Sequence, residues 1–192
     1  MDKRKLLAHI CCAPDAAYVI GVLKEEFDVS GFFYNPNIHP REEYFRRLLE
    51  TRRVAGILKI PLIEGPYDDA EWFARTAGLE AEPEKGRRCD VCYSIRLEKT
   101  AGLSAEGSFD IFATVMSLSP WKKADVLNRL GAELGRARRT AFLEADFKKK
   151  DGFRKSLELS RSLGLYRQNY CGCIFSLRSR EAAGTKKGPA PS

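Results

Sequence analysis

The stretch KLLAHICCAPDAAYVIGVLKEEF, residues 5–27, decides the fold, because an apolar run changes into a helical pattern at two adjacent cysteines. The run at residues 5–10 is almost continuously apolar, which is typical of a strand buried on both faces of a parallel sheet. Pro14 suits the first turn of the helix expected over residues 14–27, since the proline nitrogen needs no hydrogen-bond partner there. The stretch therefore predicts a buried strand that leads directly into a helix.

The same strand-then-helix unit recurs along the chain. Further strands are predicted at residues 29–34, 60–64, 109–115 and 140–144, and further helices at residues 40–58, 68–76, 89–105, 120–134 and 151–163. Ser119 before Pro120 suits an N-cap for the helix over residues 120–134. Repeated units of this kind predict an α/β protein: a single three-layer domain with a mainly parallel sheet flanked by helices, a Rossmann-like arrangement. We expect this domain to span residues 1–180, followed by a flexible tail at residues 181–192.

Composition and charge indicate a globular protein with a polyanionic partner. The chain has 192 residues, of which 44% are hydrophobic and 31% charged, and it contains no run of about 18 apolar residues. The stretch MDKRKLLAHICC at residues 1–12 lacks the long apolar segment and the small-residue cleavage site that are typical of a signal peptide. We therefore expect a cytoplasmic protein without a membrane partner. The net charge of +7 is uneven, since residues 138–192 hold 13 Lys or Arg against 5 Asp or Glu, a net of +8. A basic segment of this kind favours nucleic acid as a partner, although a solvated basic face explains it equally well.

Six cysteines form three close pairs, and reduced cytoplasmic thiols in such pairs indicate metal or redox chemistry. The pairs are Cys11 with Cys12, Cys89 with Cys92, and Cys171 with Cys173. A structural zinc site would use four thiolates and leave one pair idle, whereas a thioredoxin-like site would use only the C-x-x-C pair. An iron–sulfur cluster also takes four ligands. Six thiolates and the nearby carboxylate of Asp15 make seven potential ligands, which is more than one four-ligand site consumes.

Seven potential ligands, three more than one four-ligand site needs, favour two neighbouring metal centres. Adjacent side chains at a strand end point in different directions, so Cys11 and Cys12 do not easily face the same iron. The spacing weakly favours a cluster on four ligands, namely Cys12, Asp15, Cys89 and Cys92. A second metal with an open position would then take Cys11, Cys171 and Cys173. The rival partition, with Cys171 and Cys173 on the cluster, stays open, as does a single centre with spare cysteines.

Other candidate residues lie after predicted strands or beside the cysteines. Candidate catalytic groups are Asp15, His39 and Asp146, although loop ordering is an equal explanation for His39. Candidate ligands for a substrate or a nucleic acid are Tyr34, Asn35, Asn37, Lys148, Lys149, Lys150, Arg154, Arg167 and Tyr170. Asx-type turns explain the two asparagines as well, and a solvated charge run explains the lysines. His9 is interpreted as a packed residue, and Trp72 and Trp121 as core or helix-surface aromatics.

Five motifs together resemble the QueH-type epoxyqueuosine reductases over residues 5–177. They are LLAHICCAPD, FFYNPNIHPREEYFRR, RRCDVCYSIRLEKTA, SLSPWKKAD and EADFKKKDGFRKSLELSRSLGLYRQNYCGC. Asp15 departs from the pattern, since many relatives have a cysteine there. The resemblance implies the last step of queuosine synthesis, in which the epoxide of epoxyqueuosine is reduced at the wobble position of tRNAs with GUN anticodons. It also implies dependence on an iron–sulfur cluster, here a [4Fe–4S] cluster, without cobalamin.

The chain carries neither a G-x-G-x-x-G nor a G-x-x-x-x-G-K-[ST] nucleotide motif. Because no side chain donates electrons for such a reduction, an external electron donor is required, and the second metal is expected to be iron. A different class of function also accounts for the cysteines and the basic segment. It is a zinc-stabilised RNA-binding module without catalysis, which would need no redox-active cluster.

Overall fold

The computed structural model describes residues 3–185, and in it each strand is followed by one or two α-helices, largely as the sequence predicts. The strands are β1 (Arg4–Ile10), β2 (Phe27–Phe33), β3 (Leu62–Glu64), β4 (Ile111–Thr114) and β5 (Ala141–Phe142). The helices are α1 (Ala13–Leu23), α2 (Arg41–Leu58), α3 (Asp69–Thr76), α4 (Arg87–Glu106), α5 (Ala124–Arg138), α6 (Gly152–Ser162) and α7 (Ile174–Thr185). A 3₁₀ turn at Val115–Leu118 follows β4. The predicted α/β class is thus confirmed. Between residues 3 and 185 no helix is long and apolar enough to cross a membrane.

The sheet is parallel throughout, with the strand order β3-β2-β1-β4-β5. The central strand β1 is buried as its apolar sequence requires, and Leu6 and Leu7 are fully inaccessible. The chain winds outward from β1 to β3 and then returns to place β4 on the other side of β1. Ligands of such sheets bind in the crevice where the order reverses, beyond the carboxyl ends of the strands. The two segments at this crevice are the Cys11–Cys12 pair after β1 and the 3₁₀ turn after β4.

The His9 side chain forms hydrogen bonds that join the central strand to the segments on both sides of it. Its Nδ1 lies 3.0 Å from Thr114 Oγ1 in β4, and its Nε2 lies 3.1 Å from the carbonyl oxygen of Tyr34 after β2. A carbonyl oxygen only accepts, so Nε2 carries the hydrogen and Nδ1 accepts from the threonine hydroxyl. Burial, aided by the charge of Arg96, lowers the pKa of His9 to about 3. His9 is therefore a neutral packed residue, as the sequence suggests.

The segment after β4 differs from the prediction. The expected N-cap at Ser119 was wrong, because α5 begins only at Ala124 and its N-cap is Lys123. Ser119 instead closes a turn, in which its carbonyl oxygen accepts from the Lys122 amide at 3.1 Å and its hydroxyl from the Trp121 amide at 3.3 Å. The turn leaves Trp121 and Lys122 at the edge of the crevice, outside any helix.

Helix α7 was not predicted. It continues through Thr185, five residues into the segment expected to be a tail, whereas residues 186–192 of that segment lie outside the described residues. The domain boundary near residue 180 stays a prediction.

Candidate metal centre

One cavity of about 130 Å³ brings the cysteine pairs together beyond the carboxyl ends of β1 and β4. The start of α1, the first turns of α4 and the loop before α7 each contribute potential metal ligands. The ligand residues that line the cavity are Cys11, Asp15, Cys89, Cys92, Cys171 and Cys173. The remaining thiol, that of Cys12, lies behind the wall in contact with Cys11, with the two sulfur atoms 3.9 Å apart. All seven potential ligands thus belong to one region, although Cys11 and Cys173 are 162 positions apart in the chain.

Cys11, Cys12 and Asp15 form a compact trio at the start of α1. Cys12 is the extended N-cap of the helix, and Asp15 in the first turn places Oδ2 3.9 Å from Cys11 Sγ. All three ligand atoms lie within 4.8 Å of one another, and all three residues are buried. A single tetrahedral ion with metal–sulfur bonds of ~2.3 Å sets its sulfur ligands ~3.8 Å apart. The trio therefore has the spacing of ligands to one metal ion.

The other four thiols do not form a second compact group among the described residues. Cys89 and Cys92 share one face of α4 at a spacing of three residues, and Cys171 and Cys173 flank Gly172. Among residues 3–185, only the α1 trio brings three Cys, His, Asp or Glu ligand atoms within 4.8 Å of one another. Thiolates on different iron atoms of a cluster are necessarily farther apart than ligands of one ion. These four thiols therefore suit a polynuclear centre better than a single zinc ion.

Gly172 is required between the last two thiols. Its φ of +109° is a conformation that side chains rarely adopt, and a Cβ atom there would lie 2.9 Å from Ile38 Cγ1 and 3.2 Å from Arg47 Nη1. The C-x-C spacing thus works only because the middle residue has no side chain.

Basic side chains surround the thiols. The Cys12 thiol, with Lys122 and Arg96, lowers the pKa of Cys11 to about 7, and a hydrogen bond from Cys173 lowers that of Cys171 further below its usual range. Burial raises the pKa of the Asp15 carboxyl. The cations that line the cavity are Arg47, Arg88, Arg96, Lys122, Arg167 and Arg180, against the two carboxylates of Asp15 and Glu84. These surroundings favour the thiolate, the form that binds metal, at Cys11 and Cys171. Burial raises the pKa of Cys89 to about 11, and the hydrogen bonds to Cys11 and Cys171 raise the pKa values of their partners Cys12 and Cys173.

Three predicted substrate ligands reach the cavity: Asn37, Arg167 and Tyr170. Arg167 donates to Ser160 Oγ at 2.8 Å, and Tyr170 donates its hydroxyl hydrogen to the carbonyl oxygen of His39. The buried Oδ1 of Asn37 has no hydrogen-bond partner, so it is free to accept from a ligand.

Tyr34 and Asn35 do not line this cavity. The Tyr34 hydroxyl donates to Glu71 Oε2 in α3 at 3.4 Å. Asn35 Nδ2 donates to the Ile10 carbonyl oxygen at 2.8 Å, which ties together the ends of β1 and β2. A substrate-binding role for these two residues stays a prediction.

Two of the candidate catalytic groups, His39 and Asp146, lie outside the cavity lining. The His39 ring packs against Tyr67, Trp72 and Phe73 at centroid distances of 6.4, 5.3 and 4.8 Å, and its Nδ1 donates to the Asn37 carbonyl oxygen at 2.8 Å. Asp146 Oδ1 is 3.0 Å from Lys148 Nζ. The catalytic role of both groups stays a prediction, while their contacts order the loops around the site.

The predicted phosphate-binding run also lies outside the lining of the cavity. Lys148 donates from Nζ to the Ser117 carbonyl oxygen at 2.9 Å, so it is engaged within the protein. Lys149 and Lys150 are exposed and available to a partner. Arg154 is exposed too, but it contacts Asp151 at 3.2 Å and Glu158 at 2.8 Å.

A parallel sheet with a thiol-rich, cation-lined cavity at its switch point defines this chain as an α/β protein with a candidate metal site at the carboxyl ends of its strands. The sequence profile described as "Epoxyqueuosine reductase QueH" matches residues 6–179. The chain belongs to this family of enzymes.

Individual relatives agree with the family match. A protein named "Epoxyqueuosine reductase QueH" from Streptococcus pyogenes serotype M1 is 37% identical over 179 residues, which cover 90% of this chain and 70% of the relative. One of the same name from Acinetobacter baylyi is 40% identical over 176 residues, covering 91% of this chain and 81% of the relative. The U34-tRNA thiolase NcsA from Methanococcus maripaludis, solved with its [4Fe–4S] cluster, shares the fold with a TM-score of 0.60 at 16% identity, over 97% of this chain and 66% of its own.

Proposed function

We propose that the protein reduces the epoxide of epoxyqueuosine to the alkene of queuosine at the wobble position of tRNAs with GUN anticodons. The observation that carries the proposal is the convergence of five thiols and the Asp15 carboxylate on one cation-lined cavity in a member of this family. The reaction consumes two electrons and two protons and releases the epoxide oxygen as water. Because side chains do not supply electrons in this way, the protein needs a redox cofactor and an external donor. Six reduced thiols accord with the cytoplasm as the place of action.

The donor set fits two metal groups. Cys89, Cys92, Cys171 and Cys173 would hold a [4Fe–4S] cluster, and the compact trio of Cys11, Cys12 and Asp15 would hold a second metal, iron. Another protein with this fold, NcsA, carries a [4Fe–4S] cluster, so the fold can accommodate one. When bound, the two groups would supply electrons and a Lewis acid with a position left for the substrate oxygen. This partition replaces the one that the sequence spacing favoured, which put Cys12 and Asp15 on the cluster with Cys89 and Cys92. It keeps the alternative of Cys171 and Cys173 on the cluster, and it groups Cys11 with Cys12 because their sulfur atoms, only 3.9 Å apart, are close enough to share one ion.

The chain's own residues prepare the cavity for the substrate. Although burial opposes its charge, Cys11, Asp15 and Cys12 raise the pKa of the Lys122 ammonium, so Nζ retains a proton beside the trio. That ammonium can donate a hydrogen bond to the oxygen that leaves the epoxide. The rings of Trp72, Tyr93 and Phe153 line other parts of the cavity and exclude water from it.

Anaerobic reconstitution with iron and sulfide tests the proposal. We expect a brown protein with broad absorption near ~400 nm and about five iron atoms per chain, four in the cluster and one in the trio. With a chemical reductant it should convert epoxyqueuosine in tRNA to queuosine, which nucleoside mass spectrometry detects as the loss of one oxygen atom. A colourless protein that holds stoichiometric zinc, binds RNA and leaves the epoxide intact would contradict the proposal and support the RNA-binding module instead.

Lys149 and Lys150 provide a test of tRNA binding. We expect the double variant Lys149→Gln/Lys150→Gln to weaken binding at every salt concentration and to reduce the slope of log Kd against log salt by about 0.9 for each phosphate that the variant no longer neutralises. Arg154→Gln should change the slope less, because two carboxylates already neutralise that guanidinium. Filter binding with an epoxyqueuosine-containing tRNA measures both.

The control for this series is Lys99→Gln, which removes an exposed lysine from α4 that does not line the metal cavity. It should bind tRNA like the parent. If the double variant also binds with an unchanged slope, the lysine run is a solvated surface and the assignment is wrong.

A further inference from the structure

Trp121 stands apart from the other exposed apolar residues. Six large hydrophobic side chains are exposed in the described chain, namely Val22, Phe45, Leu49, Ile57, Phe73 and Trp121. Of these, Trp121 alone lines the metal cavity, and its side chain is 58% exposed. An indole in that position lies at the mouth of the cavity, with one part facing the interior and the rest facing solvent.

Two neighbouring lysines, Lys85 and Lys122, connect Trp121 to the thiols. Lys85 places its Nζ 5.6 Å from the centroid of the indole ring, which is a cation–π contact. The amide of the same lysine donates to Cys89 Sγ at 3.3 Å. The turn that closes at Ser119 sets Trp121 next to Lys122, the cation beside the compact trio. The indole is therefore coupled on two sides to residues at the metal ligands.

We propose that Trp121 is a stacking platform for an unpaired nucleobase that flanks the modified nucleotide, with Lys85 beside it on the adjoining phosphate. The inference rests on the proposed function and extends it to a part of the RNA that does not react. A nucleotide that enters the cavity must leave the base stack, and its neighbours then lose a stacking partner at the rim. Proteins replace that partner with an aromatic ring combined with a basic group.

The test uses reconstituted holoprotein and an RNA hairpin with the sequence of a GUN anticodon arm. We expect Trp121→Ala to raise the Kd for the hairpin about tenfold and Trp121→Phe to restore most of the affinity, because stacking needs an aromatic face but no particular ring. The slope of log Kd against log salt should stay unchanged in both variants, whereas Lys85→Gln should lower it by about 0.7. Iron content and visible spectrum should match the parent, which a merely structural role would not allow.

Phe45→Ala is the matched control. Phe45 is 48% exposed and has the Arg41 guanidinium 5.6 Å from its ring centroid, but it lies on α2 and does not line the cavity. Its replacement should leave the Kd within about twofold of the parent.

Tryptophan fluorescence gives an independent readout. The chain has two tryptophans, and Trp72 is fully buried, so acrylamide quenching reports on Trp121. The hairpin should protect Trp121 from acrylamide. A Kd for Trp121→Ala within about twofold of that of the parent would overturn the inference. So would acrylamide quenching that changes when the protein is diluted without RNA, because it would show that copies of the chain associate through the indole. Failure of the parent to bind the hairpin would overturn the proposed function as well, so the two failures are distinguishable.

Discussion

Cys11→Ser, Cys12→Ser and Asp15→Asn are each expected to retain the absorption near ~400 nm while losing the separately bound metal. Epoxide reduction should fall about a thousandfold in each, because a Lewis acid at the substrate oxygen contributes several kcal/mol to the transition state. Cys92→Ser and Cys173→Ser should lose the visible absorption instead. The physical reason is the spacing: the trio has the compactness of ligands to one ion, and the other four thiols do not.

Iron analysis, visible spectra and anomalous scattering at the iron edge measure this difference. Asp90→Asn is the matched control, because this carboxylate also lies in the first turn of a helix but pairs with Lys123 at 3.0 Å outside the cavity lining. It should keep both metals and full activity. One compact anomalous peak with no separate peak at Cys11, Cys12 and Asp15 would contradict the two-centre proposal, as would loss of the cluster spectrum in Asp15→Asn.

The strand pattern could be read from the sequence because buried parallel strands leave a strong local signal. The apolar runs at β1 and β4 predicted these strands without any tertiary information. Together with the turns that follow them, they also predicted where the crevice lies. The start of α5 could not be read in this way. Ser119 and Pro120 have the residue types of a helix start, but the turn to Lys122 satisfies the same hydrogen-bonding groups. Helix α7 has little local pattern of its own, since small and basic residues follow its first turn.

The place of Cys11 and Cys12 could be predicted as well, because they directly follow β1 and parallel strands end at one edge of the sheet. The other four cysteines follow no strand, and only their close pairing indicated that they share the site. The cations that complete the site could not be predicted. Arg47, Arg96 and Lys122 sit within helical or turn segments where a basic residue ordinarily faces solvent. The atoms that make Arg47 a buried residue belong to Tyr170 and Cys171, more than 120 residues away in the chain. No local pattern encodes such a contact.

Arg47 joins α2 to the loop that carries the last two thiols. Its guanidinium is 2% exposed, and Nε donates to Glu43 Oε1 at 2.7 Å. Its two terminal nitrogens donate to the carbonyl oxygens of Cys171 at 3.1 Å and Tyr170 at 3.2 Å. The planar group also lies 5.2 Å from the centroid of the Tyr170 ring. One side chain thus holds the backbone on which two metal ligands depend.

We therefore expect Arg47→Ala to lower the free energy of unfolding by about 3–5 kcal/mol, since it leaves the buried Glu43 carboxylate without its cation and two carbonyl groups without donors. Arg47→Lys should recover only part of the stability, because a point charge cannot serve three acceptors in the geometry of a guanidinium. Denaturant unfolding of the metal-free protein measures the stability. Iron bound after reconstitution measures whether Cys171 and Cys173 are still in place.

Arg52→Ala is the matched control for Arg47→Ala. Arg52 also forms a short ion pair, with Nε 2.7 Å from Glu64 Oε1, but the two side chains are 52% and 35% exposed. Its replacement by alanine should cost about 0.2–1 kcal/mol and leave iron binding unchanged, because water solvates the remaining carboxylate. If Arg47→Ala costs no more than Arg52→Ala, the buried guanidinium does not hold the C-x-C loop. If Arg47→Ala is destabilised but binds iron like the parent, the loop is held in place by the metal itself.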